Sequence, residues 1–191
     1  RMPPESPFPA AVDDTINVYQ YALQSYAPEA IAIGGPSTGG GLSLAAVHRM
    51  KQLDLPLPGV VYAGTPWSDM TKTSDTLYTN EGIDRVLVTY DGLLKGAAKI
   101  YAAGTDMKDP LISPVYGDFT GFPPTVLITG TRDLFLSDTV RVHRKMRNAG
   151  VVADLHVFEG MSHAEYLIVL GSAESTETFA EVSRFFKMHL E

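Results

Sequence analysis

The 191-residue sequence contains no cysteine. That absence removes disulfide bonds, thiolate zinc sites and cysteine nucleophiles from consideration. It also suits a reducing compartment and favours a cytoplasmic setting. Positive charge is scarce: 15 Lys and Arg stand against 22 Asp and Glu, for a net charge of −7. No basic cluster offsets this, so the chain has no field to attract a phosphate backbone, and no nucleic-acid partner is expected. Long apolar runs are lacking as well. Stretches such as Val126-Leu127-Ile128 are too short to cross a bilayer, so no membrane partner is expected either. With 19% charged and 45% hydrophobic residues, the chain has the balance of a folded domain with a sizeable core. An initiator methionine is also missing. The chain opens Arg1-Met2-Pro3-Pro4, which reads as part of a longer protein whose targeting signal would lie elsewhere.

What is present alternates between two periodicities. Four prolines in residues 1–10 mark an extended loop. Val12, Ile16, Tyr19 and Leu23 recur at helical spacing and support a helix over residues 13–26. Ala30-Ile31-Ala32-Ile33, stopped by Gly34-Gly35, reads as a buried strand. A helix over 39–53 follows, then a strand over 59–65. Residues 66–122 are less regular and hold one helix, about 90–102. They are followed by a strand at 125–130, a helix at 137–148 ending on Gly150, a strand at 153–159 and a closing helix at 175–189. Strands and helices alternating at these lengths imply a parallel sheet with helices on both faces.

The chemistry centres on Gly35-Pro36-Ser37-Thr38-Gly39, a G-x-S-x-G between a strand and a helix. A serine on so sharp a turn is thrust above the sheet, and small residues two positions either side let strand and helix close up around it. The Thr38 N–H, at the positive end of the helix, would face a developing oxyanion. The plainer reading is a glycine-rich turn that binds phosphate.

An alcohol needs a base, and the base needs an orienting acid. His48, His143, His156 and His189 fall inside helices or a strand, whereas His163 lies in a loop just past the fourth strand, where catalytic groups gather. Asp133 is the first carboxylate after the third strand, so it is the expected acid. Capping the next helix is its competing role. Asp69 and Asp138 are rivals, and Glu159 is too near His163 along the chain.

Several stretches resemble the hormone-sensitive-lipase-like family of α/β-hydrolase esterases across nearly the whole chain. Arg1 to Glu5, Pro7 to Ala11 and Asp13 or Asp14 resemble the family's R-L-A-P-E…F-P-A-A…D loop. Gly35 to Gly40 resembles G-D-S-A-G-G. Asp109-Pro110-Leu111-Ile112-Ser113-Pro114, Gly130 to Leu134, and Gly160 to His163 add to the likeness. Pro36 and Thr38 depart from the family's Asp and Ala. The Ser-Thr-Gly-Gly form, with Gly64 to Asp69, resembles a branch of lactone hydrolases.

The resemblance implies the C-terminal part of an α/β-hydrolase fold: a mostly parallel sheet, helices on both faces and a partial cap insertion over 66–112. It implies a serine carboxylic ester hydrolase acting on small-molecule esters or lactones with short to medium acyl groups. Ser37, Asp133 and His163 would be nucleophile, acid and base, and Thr38 an oxyanion donor. No metal or organic cofactor is implied, and a homodimer through the last strand and helix is. Trp67, Leu77, Tyr78, Ile83, Val86 and Leu87 are pocket candidates, with plain packing as their alternative role. The family's H-G-G-G loop is absent from the sequence, so these residues alone are expected to be inactive or poorly folded without the segment that carries it. Competing classes are a non-catalytic ligand-binding protein or inactive fragment on this fold, and an amidase or peptidase.

Overall fold

Four strands form one parallel sheet, in the order β1-β2-β3-β4, in a computed structural model that describes residues 1–190. They are β1 (Ala32–Pro36), β2 (Val60–Gly64), β3 (Thr125–Gly130) and β4 (Ala153–Phe158). The helices are α1 (Ala10–Ala22), α2 (Thr38–Gln52), the single turn α3 (Thr76–Thr79), α4 (Leu93–Ala102), α5 (Leu136–Asn148), the single turn α6 (Glu165–Ile168) and α7 (Ala173–His189).

β3 is buried along its whole length, and its side chains serve two cores in turn. Leu127 joins Val61 and Ala63 of β2 in a cluster closed by Ile16 and Tyr19 of α1, Leu44 and Met50 of α2, and Val142 and Met146 of α5. Val126 and Ile128 point the other way, onto Met161 of the loop after β4, Tyr166 of α6 and Phe185 of α7. The period-two alternation of a strand thus meets helices on both faces, the layered arrangement expected from the sequence. The helical repeat Val12, Ile16, Tyr19 is buried as its spacing predicts. The helix starts and ends earlier than expected, and residues 28–30 form a separate short 3₁₀ turn.

β1 differs from expectation. The sequence predicts a buried strand ending before Gly34-Gly35, whereas the strand runs through both glycines and is only partly covered, because β2 is its sole partner among the described residues. Gly34 lies under Tyr62 of β2, and a Cβ there would come 2.6 Å from the Tyr62 Cβ. The glycine permits a close crossing and does not break the strand.

Residues 66–112 build a third cluster. Leu94, Ala98 and Ala102 of α4 pack with Trp67, Met70, Leu77 and Tyr90, and this group rests on Leu134 and Phe135 at the head of α5. His48 is a buried histidine on the inner face of α2. Burial pushes its pKa down to about 4 against the pull of its hydrogen bond to the Pro114 carbonyl.

Candidate active site

The carboxyl ends of all four strands open on one edge, and each strand delivers one residue of interest there. Pro36 leads into Ser37, Gly64 into Thr65, Gly130 towards Asp133, and Phe158 towards His163. Strand-end loops of a parallel sheet are held by the ladders below while their side chains stay free to converge.

Ser37 has φ +56° and ψ −124°, an uncommon conformation for a residue with a side chain. Three backbone bonds hold it there. Its N–H donates to the Gly64 carbonyl at 2.7 Å, and its carbonyl accepts from Trp67 N–H at 3.0 Å and Gly41 N–H at 3.1 Å. Gly41 lacks a Cβ because one would run into the Trp67 carbonyl oxygen. The Thr38 N–H heads α2, where backbone donors have no partner within the helix.

His163 is 3% exposed, and its Nε2 lies 2.9 Å from Ser37 Oγ. Its Nδ1 lies 3.0 Å from Asp133 Oδ1 and 2.7 Å from Thr65 Oγ1. A carboxylate can only accept from the ring, so the network assigns the proton to Nδ1 and leaves Nε2 to accept from the serine. Asp133 is fully buried. Oδ1 also accepts the Phe135 N–H at 2.8 Å; Oδ2 accepts Thr129 Oγ1 at 3.1 Å and a shorter bond from the Thr65 hydroxyl. The bond from Phe135 closes a local turn just ahead of α5, whose N-cap position has no side-chain cap, so helix capping is not the role of Asp133. Four donors compensate a carboxylate that burial would otherwise penalise.

Thr65 was not singled out by the sequence. Its hydroxyl closes a ring, accepting from His163 Nδ1 and donating to Asp133 Oδ2. It has φ +41°, a true outlier for a β-branched residue. The positional rule that selects Asp133 applies to it equally, since Thr65 is the first residue past β2.

The rival carboxylates are engaged elsewhere. Asp138 accepts the Ser74 hydroxyl and the Asp69 N–H. Burial, reinforced by neighbouring Asp69, pushes it up to about 7 against the hydrogen bond from Ser74. Burial would also raise Asp69, but hydrogen bonds from Thr71, Arg141 and Thr73 outweigh it and hold its carboxyl below the usual range. Neither carboxylate has a hydrogen bond or ion pair to His163 among the described residues.

An apolar cavity of about 420 Å³ adjoins the turn that carries Ser37. Thr38, Gly39 and Leu42 line one side, and Trp67, Met70, Tyr101 and Ile112 the other. Of the six pocket candidates, only Trp67 faces it. Leu77 is fully buried and Leu87 packs on the same cluster, while Tyr78, Ile83 and Val86 are exposed. Sequence position could not distinguish these cases because α4 and the segment 109–112 fold back over Trp67. The walls therefore come from residues far apart in the chain. Among the described residues, no group of three His, Cys, Asp or Glu is arranged to hold a metal ion, and no helix is long and apolar enough to cross a membrane.

A family profile described as the alpha/beta hydrolase fold matches residues 1–167. Among curated proteins, an acetyl-hydrolase of Streptomyces hygroscopicus is 34% identical over 85% of this chain and 54% of its own length. An esterase of Acinetobacter venetianus is 31% identical over 95% of this chain and 60% of its own. The chain thus spans a little over half the length of these relatives. Among solved structures, esterase E25 superposes with a TM-score of 0.97 at 52% identity, covering 100% of this chain and 58% of that one. An esterase from the bacterial hormone-sensitive lipase family gives 0.93 at 33% identity, covering 98% and 63%.

Proposed function

Since the chain belongs to the α/β-hydrolase-fold family, among the hormone-sensitive-lipase-like esterases, we propose that it carries the nucleophile, base and acid of a serine carboxylic ester hydrolase. The observation that carries this reading is the unbroken chain of contacts from Ser37 Oγ through His163 to Asp133, at 2.9 and 3.0 Å, with the serine held at positive φ.

In the proposed reaction His163 Nε2 takes the Ser37 proton as Oγ attacks the ester carbonyl. The carbonyl oxygen becomes an anion and meets the Thr38 N–H. Asp133, with Thr65 beside it, stabilises the charged imidazole. His163 then passes the proton to the departing alcohol, leaving an acyl group on Ser37. A water then gives a proton to the same nitrogen as its oxygen bonds the acyl carbon, and His163 returns that proton to Ser37 Oγ as the bond to the acyl group breaks and the acid departs. The apolar cavity beside the elbow suits the acyl chain of a short or medium ester, and lactones fit the same chemistry. The reading also calls for further oxyanion donors from a segment outside these 191 residues. One such donor contributes about 10²–10³ in turnover.

The test is Ser37→Ala in the intact protein, assayed on p-nitrophenyl butyrate. Hydrolysis should fall by about 10⁴-fold or more, and a fluorophosphonate probe should label the parent and not the variant. Turnover that survives the substitution would overturn the reading.

A further inference from the structure

Asp84 lies between α3 and α4 and is 1% exposed. A carboxylate this deep needs compensation, and backbone N–H groups supply it. Oδ1 accepts from Val86 at 2.8 Å, Leu87 at 3.2 Å and His163 at 3.4 Å, and Oδ2 accepts from Leu134 at 2.9 Å. The first two bonds close a local turn. The other two cross the molecule to different loops, one to the residue after Asp133 and one to the backbone of His163 itself.

Neighbouring residues tie the same segment to the same two loops. Asn80 Nδ2 donates to the Asp133 carbonyl at 2.9 Å and the Thr131 carbonyl at 3.1 Å. Arg85 N–H donates to Ser162 Oγ at 3.2 Å. The loops after β3 and β4 are thus bridged from above by the segment 80–85, in addition to their side-chain contact at the triad.

We propose that Asp84 is a positioning residue, a backbone clamp that sets the spacing between the acid loop and the base loop; this rests on the esterase reading of Ser37, Asp133 and His163. A turn-forming aspartate needs only the bonds to Val86 and Leu87. The bonds to 134 and 163 are what a spacer requires. A shift of one loop by about 1 Å would stretch the Nδ1–Oδ1 contact out of hydrogen-bond range and lower turnover by about 10- to 100-fold.

Asp84→Asn tests this directly. An amide has one acceptor oxygen, so its NH₂ must face either the Leu134 N–H or the group formed by 86, 87 and 163, and donor against donor pushes one loop away. Asp84→Ser is the second variant: a serine hydroxyl can still serve the local turn but cannot reach Leu134. Both are made in the intact protein beside Ser37→Ala. The readouts are kcat and KM on p-nitrophenyl butyrate, and the downfield proton resonance of His163 Hδ1. The clamp predicts that both variants lose 10-fold or more in kcat with KM within about twofold, and that the Hδ1 resonance moves or broadens. Should Asp84→Asn fail to fold, Asp84→Ser alone decides. Wild-type kcat and an unmoved resonance in a folded variant, even one with a lowered Tm, overturn the clamp. Activity surviving in Ser37→Ala would instead overturn the esterase reading beneath it.

Discussion

Thr65→Val removes one oxygen from the centre of the site and keeps the side chain's shape. Valine has the same branch at Cβ, so the backbone at φ +41° faces the same steric demand. What is lost is a hydroxyl that donates to Asp133 and accepts from His163. Hydrogen bonds to charged groups contribute about 1.5–3 kcal/mol, and here the loss divides by timing. The bond to Asp133 is present in the resting site and would persist through the proposed reaction, so it stabilises folded enzyme and transition state alike. In the proposed reaction His163 gains charge as the serine proton arrives, so its bond to Thr65 would strengthen on the way to the transition state. The Thr129 hydroxyl and Phe135 N–H stay on Asp133 and limit the folding cost. We expect kcat on p-nitrophenyl butyrate to fall about tenfold, equivalent to about 1.4 kcal/mol, with KM nearly constant. Tm should drop by about 2–4 °C for each kcal/mol lost in folding. Thr65→Ser retains the hydroxyl and should recover most of kcat. A valine variant within twofold of wild-type kcat, or a serine variant as slow as the valine one, would refute the division.

Two further outcomes follow from packing and burial. His48 is held neutral by burial, with its pKa depressed to about 4 from 6.5; the unfolded chain binds a proton that the folded one refuses, so stability should decline as pH falls from 6.5 towards 4, by about 3 kcal/mol in total. Urea unfolding across that range should show this limb in the wild type and a flattened one in His48→Leu, and equal slopes would contradict it. Gly41→Ala places a Cβ against the Trp67 carbonyl, whose N–H holds the Ser37 backbone; about 1–3 kcal/mol of stability should be lost, together with fluorophosphonate reactivity, and normal labelling kinetics would show that the elbow tolerates the shift.

Most of the fold was legible because each element announces itself locally. Thr125 to Gly130 is a β-branched run between Pro124 and a turn, and it forms a strand over the expected residues. Ser37 and His163 stand out in the sequence because both fall just past strand ends, and the structure brings their side chains to 2.9 Å of each other. Legibility failed where tertiary contact decides. Whether β1 is buried depends on neighbours the strand cannot specify, and its Gly34 is explained by Tyr62, a residue far along the chain. Tyr78, Ile83 and Val86 look like pocket residues by composition, yet they are exposed. Met70, Tyr101 and Ile112 reach the cavity only because α4 folds back. Asp84 was invisible for the same reason: its partners at 134 and 163 become neighbours only when two strand-end loops meet.

The peptide linking Gly64 to Thr65 sits between the two groups proposed to react. Its Gly64 oxygen accepts the Ser37 N–H, and its Thr65 hydroxyl holds both Asp133 and the His163 ring. Both halves of the proposed proton-transfer pair therefore share one mounting. A displacement of that peptide would carry the two together, so their separation should depend less on its position than it would for groups mounted independently. The arrangement has a vulnerability in return: damage to this single joint disturbs attack and deprotonation at once, and no compensating change on one side alone can restore the pair.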